Sequence, residues 1–64
     1  MLSYRLYFLD REGRFTRAVQ LECANDERAL RAAAAHANGA AMELWQQARK
    51  VRWFEADSVV NAGH

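Results

Sequence analysis

The sequence predicts a two-layer α+β domain of order ββαββ: a four-stranded, mainly antiparallel sheet with one helix on one face. Three observations predict it. A capped, alanine-rich segment occupies the middle of the chain, and on each side of it stands a pair of short aromatic and aliphatic runs separated by a turn. One helix between two hairpins has to pack on one face of the sheet they form. If the helix reverses the chain direction, the third strand lies antiparallel beside the first, giving spatial order 2-1-3-4. The domain is expected to span residues 1–56, with Asp57 to His64 as a flexible C-terminal tail.

The helix comes from Asn25 to Gly39, N-D-E-R-A-L-R-A-A-A-A-H-A-N-G. The Asn25 side chain can accept from the unpaired amides of the first turn, and Asp26 and Glu27 put negative charge at the positive end of the helix dipole. Alanine fills the interior, no proline or β-branched residue opposes it, and Glu27 precedes Arg31 by one turn as a surface pair. Asn38 and Gly39 offer the left-handed backbone that ends many helices. Leu30, Ala33, Ala34 and Ala37 share one stripe at helical spacing. That stripe carries little apolar area, so the sheet must supply the large side chains.

Tyr4 to Leu9 and Phe15 to Cys23 read as a hairpin around the turn D-R-E-G, Asp10 to Gly13. Two signals conflict over its register. Alternation puts Val19, Leu21 and Cys23 on the core side, and a loop of two or four residues sets Leu6 opposite Val19 and Tyr4 opposite Leu21. The usual reading of D-x-x-G, a three-residue loop with a left-handed Gly13, sets Leu6 opposite Ala18 instead. Burying a large side chain is worth about 1.5–3 kcal/mol, which outweighs a turn preference, so the even loop is expected unless a bulge intervenes.

Ala41 to Gln46 alternates, and Lys50 to Glu55 can pair back with it across a two-residue loop at Gln47 and Ala48. This register sets Leu44 opposite Val51 and Met42 opposite Trp53 on the core side. On the other side it sets Glu43 opposite Arg52 and Trp45 opposite Lys50, so opposite charges and a cation–aromatic pair meet. Gln-Ala lacks the glycine or asparagine preferred where φ is positive, which leaves a longer loop open. The expected core is Tyr4, Leu6, Phe8, Val19, Leu21, Cys23, Leu30, Ala33, Ala34, Ala37, Met42, Leu44, Val51 and Trp53.

With 64 residues, the chain buries only about 60% of the surface its unfolded form exposes. A core of this size is worth roughly 3–5 kcal/mol and commonly needs a further staple. Cys23 is the sole cysteine, which excludes an internal disulfide and a cysteine-rich zinc site. Association of copies is the staple left. Nine basic and eight acidic residues give a formal charge of +1, a poor footprint for nucleic acid. The N-terminus lacks a signal core and no stretch approaches the ~20 residues of a membrane span, so a cytoplasmic protein without membrane contact is expected.

One helix covers one side of the sheet. The other side is expected to display Arg5, Tyr7, Leu9, Trp45, Lys50, Arg52 and Phe54, together with Glu43. Exposed apolar patches of this kind mark interfaces. The expected role is therefore a non-enzymatic protein-interaction or regulatory module, most simply a homodimer through this face or an edge strand, with a different protein as a further partner. The plainer explanation is that arginine and lysine stems cover the aromatics and the sheet faces water. The functional alternative is a single-stranded nucleic-acid binder that stacks bases on the aromatics. It has weaker support, since no binding motif is present and Glu43 sits within the patch.

Catalytic constellations are sparse. Cys23 and His36 both fall near the helix–sheet seam, where a lone inward cysteine is usually a small core residue. Asp26 with Glu27 is explained by the helix start, Glu55 with Asp57 by a solvated strand end. D-R-E-G is too short for a calcium loop, and no glycine-rich phosphate loop exists. No catalytic residue, metal site or cofactor is expected.

At R-L-Y-F-L-D near the start, L-E-C before the helix and A-M-E-L-W-Q-Q-A-R after it, the chain resembles a group of short bacterial proteins with no assigned activity. The resemblance runs from Tyr4 to Phe54. It implies a self-contained small domain of the bacterial cytoplasm and transfers no site residue.

Overall fold

The computed structural model describes residues 1–56. Strands β1 (Leu2–Leu9) and β2 (Phe15–Cys23) precede helix α1 (Asp26–Ala35), and β3 (Ala41–Gln46) and β4 (Arg49–Phe54) follow it. Every pairing is antiparallel and the sheet order is β2-β1-β3-β4, the α+β topology the sequence predicts. The expected C-terminal tail, Asp57 to His64, lies outside the described residues.

Both signals in the first hairpin hold, on either side of a bulge. Leu6 pairs with Val19 and Tyr4 with Leu21, as burial requires. At the turn, however, the Asp10 amide donates to the Arg14 carbonyl at 2.9 Å and the Gly13 amide to the Asp10 carbonyl at 3.0 Å, with Gly13 at φ 83°. The loop therefore has three residues, not the even number expected. Phe8 faces Arg17 while Leu9 faces Phe15, so Thr16 is the extra residue that absorbs the difference. Asp10 organises the loop: its Oδ1 accepts from the amides of Glu12 and Arg14 at 2.9 Å each, and its Oδ2 accepts from Arg14 Nε at 3.1 Å. These bonds, the Arg14 amide first, hold its carboxyl below the usual range.

The second hairpin starts as expected and then slips. Gln46 pairs with Arg49 and Trp45 with Lys50 across the two-residue loop, but beyond a bulge at Val51 the pairs are Leu44 with Arg52, Glu43 with Trp53 and Met42 with Phe54. One inserted residue sends every later side chain to the opposite face. Trp53, expected in the core, is on the helix-free side and 45% exposed. Phe54, expected on the open side, packs against the core, and Arg52 leaves the open side with it. The loop itself is strained, since Gln47 takes φ 57°, a conformation that costs a residue with a side chain roughly 1–2 kcal/mol. Gln47→Gly is expected to add up to about 1 kcal/mol, because the more flexible unfolded chain offsets part of the relief. A urea midpoint that rises with unchanged slope would register the gain, and a lower midpoint would contradict it.

The core joins Tyr4, Leu6, Phe8, Leu21, Cys23, Met42 and Leu44 from the sheet to Ala29 and Ala33 from α1, with Val19, Leu30, Ala32, Val51 and Phe54 at its margin. Ala34 and Ala37, expected in the core, are exposed. The helix is rotated so that Ala29, rather than Ala34, accompanies Ala33. Asn25 caps it, its side chain accepting from the Arg28 amide at 2.9 Å. It ends earlier than expected, with His36 as the C-cap, and Gly39 at φ 93° turns the connection to β3 instead.

In that rotation Asp26 reaches two distant partners. The Tyr4 hydroxyl donates to its Oδ1 at 2.6 Å, and Arg49 donates to both of its oxygens at 3.1 Å. One carboxylate thus ties β1, α1 and β4 together. The two Arg49 bonds, then the Tyr4 bond, hold the Asp26 carboxyl below the usual range. The Tyr4 hydroxyl is pushed up, first by donating to Asp26 and then by burial.

Candidate interaction face

The register of the four strands fixes what the helix-free side presents. Along β1 it carries Arg5, Tyr7 and Leu9, and along β3 it carries Trp45, Glu43 and Ala41 opposite them. Gln20, Ala18 and Phe15 flank β1 from β2, and Lys50 and Trp53 flank β3 from β4. Five of the seven residues expected on this face, Arg5, Tyr7, Leu9, Trp45 and Lys50, are on it together. Arg52 and Phe54 are on the helix side, opposite Leu44 and Met42.

Phe15 and Trp53 belong to the face and were hidden by the bulges. Without the extra Thr16, Phe15 has the parity of Val19 and Leu21 and would point to the core. Phe15 instead stacks on Tyr7, ring centroids 4.6 Å apart and planes 14° from parallel. Leu9 is on the open side yet only 6% exposed. It forms the floor of a shallow concavity bordered by Arg11, Gly39, Ala41 and Trp53.

The polar groups of the face are largely committed to one another. Trp45 Nε1 donates to Glu43 Oε1 at 2.9 Å, Lys50 Nζ lies 3.8 Å from Glu43 Oε2, and the same ammonium stands 5.7 Å from the Trp45 ring centre. Glu22 accepts from Ser3 Oγ and Gln20 Nε2 at 2.8 Å each, and these bonds, that from Gln20 first, hold its carboxyl below the usual range. Lys50 is balanced by Glu43 in contact, while Glu22, bonded to Ser3 and Gln20, offsets Arg5 in formal charge only. Apolar groups concentrate at the end nearest the Asp10–Arg14 turn, where Phe15, Leu9 and Ala41 form one row and Ala18, Tyr7 and Trp53 border Glu43 in the next. The other end sets Gln20, Arg5, Lys50, Ser3 and Glu22 around Trp45 and is the more polar.

Cys23 is buried in the core on the opposite side of the sheet. Among the described residues no three His, Cys, Asp or Glu side chains gather as metal ligands would, and no helix is long and apolar enough to cross a membrane. Comparison with family models, curated proteins and solved structures finds no match. Fold and face together define the class: a small ββαββ domain whose sheet has one side on a helix and one aromatic side uncovered.

Proposed function

We propose that this protein is a non-enzymatic interaction module of the cytoplasm that works by associating with a second copy of itself through the helix-free face, with regulation of a bound partner as the use such a module serves. The observation that carries the reading is the aromatic face of Tyr7, Phe15, Trp45 and Trp53, whose formal charges sum to zero. An aromatic surface without net charge suits another surface of the same kind, since burying it releases water and leaves no net charge behind. Single-stranded nucleic acid is less well served: Arg52 is on the other side, and Lys50 is drawn toward Glu43.

Size supports association. Four strands about 4.8 Å apart and about 20 Å long give a footprint near 400 Å². Two such faces with side-chain relief bury on the order of 1,000 Å² in total, the lower end for a specific interface. The dimer should therefore form at micromolar concentration. Light scattering is expected to give twice the monomer mass at tens of micromolar, and Tyr7→Ala with Trp45→Ala is expected to return the monomer with the helix signal intact. A wild-type monomer across that range would remove the proposal. Salt-sensitive capture of a labelled single strand, lost in Arg5→Ala, would favour the nucleic-acid alternative.

A further inference from the structure

We infer that two copies pack face to face about a two-fold axis parallel to the strands, midway between β1 and β3, so that Trp53 of each copy fills the space over the partner's Ala18. This rests on the self-association proposed above and gives it a geometry. A footprint near the lower limit for a specific interface requires almost complete overlap of the two faces. Sheets that pack face to face keep their strands within about 30° of one another. Two two-fold arrangements meet both conditions, one with the axis along the strands and one with it across them.

An axis across the strands lays the apolar end of one face on the polar end of the other, setting Phe15 and Leu9 against the partner's Glu22 and Ser3. That buries charge against hydrocarbon. With the axis along the strands each row meets its own row, β2 lies over the partner's β4, and β1 over the partner's β3. The strand register then matches large groups with small at the margins, and in the same row it sets Tyr7, opposite Glu43, against the partner's Glu43, where the phenol hydroxyl can donate to the carboxylate. Trp53, opposite Glu43, and Ala18, opposite Tyr7, occupy the same row at opposite margins, so each indole meets the partner's alanine. Leu9, opposite Ala41, meets the partner's Ala41. One row further, Arg5, opposite Trp45, meets the partner's Trp45, a guanidinium over an indole.

Ala18 and Trp53 stand three strand spacings apart on one chain, about 14 Å, so they cannot touch within a monomer. A size swap therefore reads only the contact between copies. Ala18→Trp sets two indoles against each other and Trp53→Ala leaves two gaps; each single variant is expected to weaken dimerisation at least tenfold. The double variant Ala18→Trp with Trp53→Ala restores the match at both contacts and is expected to dimerise within about threefold of wild type. Mixing the two single variants is expected to restore it also, because both contacts of the mixed pair are one large group on one small; this arm stands even if the double variant folds poorly. Sedimentation equilibrium reads all four samples, with circular dichroism reporting the fold. A dimeric wild type with neither form of rescue overturns this packing and leaves self-association standing, whereas a monomeric wild type overturns both.

Discussion

Leu44→Ala is expected to leave the domain mostly unfolded at room temperature. Leu44 is fully buried, pairs with Leu6 across the two central strands, and is one of the largest side chains without solvent contact. Replacing a buried leucine by alanine costs about 2–5 kcal/mol through lost transfer energy and the cavity left behind. A core from a chain this short supplies roughly 3–5 kcal/mol in all, so one truncation removes most of it. Circular dichroism at low micromolar concentration should show the loss. Phe15→Ala is the control, since Phe15 is 56% exposed and its removal should leave the monomer folded. If copies associate as proposed, raising the concentration of Leu44→Ala should recover part of the folded signal by mass action. A cooperative melt within about 1 kcal/mol of wild type would contradict this account of the core.

Which features were legible in the sequence follows from how much contrast the residues offer. The strand order and the first hairpin's main register could be read because Tyr4, Leu6 and Phe8 face Leu21, Val19 and the stem of Arg17 with polar groups between them. The three-residue turn of Asp10 and Gly13 runs against the even loop expected from burial, and the conflict between the two signals is the signature of the bulge at Thr16. The bulge at Val51 left no such mark. In V-R-W-F either aromatic can face the core, and the attractive pairing of Glu43 with Arg52 favoured the unbulged register. The face therefore lost Arg52 and Phe54 and acquired Trp53. Alanine obscured the helix rotation for a similar reason, because six of the nine residues from Ala29 to Ala37 are alanine and several stripes look alike. The observed rotation is the one in which Asp26 bonds Tyr4 and Arg49, contacts 22 and 23 residues away in sequence.

That carboxylate also makes stability depend on pH at both ends of the scale. Asp26, Asp10 and Glu22 all have folded values below their ordinary ones, so the unfolded chain binds more protons in acid. Their contribution is complete above the unfolded carboxyl range, near pH 4, and is lost as pH falls through the lowered folded values. Stability should therefore fall below about pH 4, and Asp26→Asn should flatten that limb, because the amide can still accept from Tyr4 but no longer attracts Arg49 by charge. Tyr4 has the opposite sign. Its hydroxyl value is raised, so its contribution is complete below the ordinary tyrosine value, about 10, and is lost as pH rises through the raised one. Tyr4→Phe should remove this alkaline limb, a loss that urea midpoints measured from pH 2 to 11 can resolve. An Asp26→Asn profile parallel to wild type in acid would mean that the tie between β1, α1 and β4 does not hold the helix, and its rotation would then have to come from the alanine packing alone.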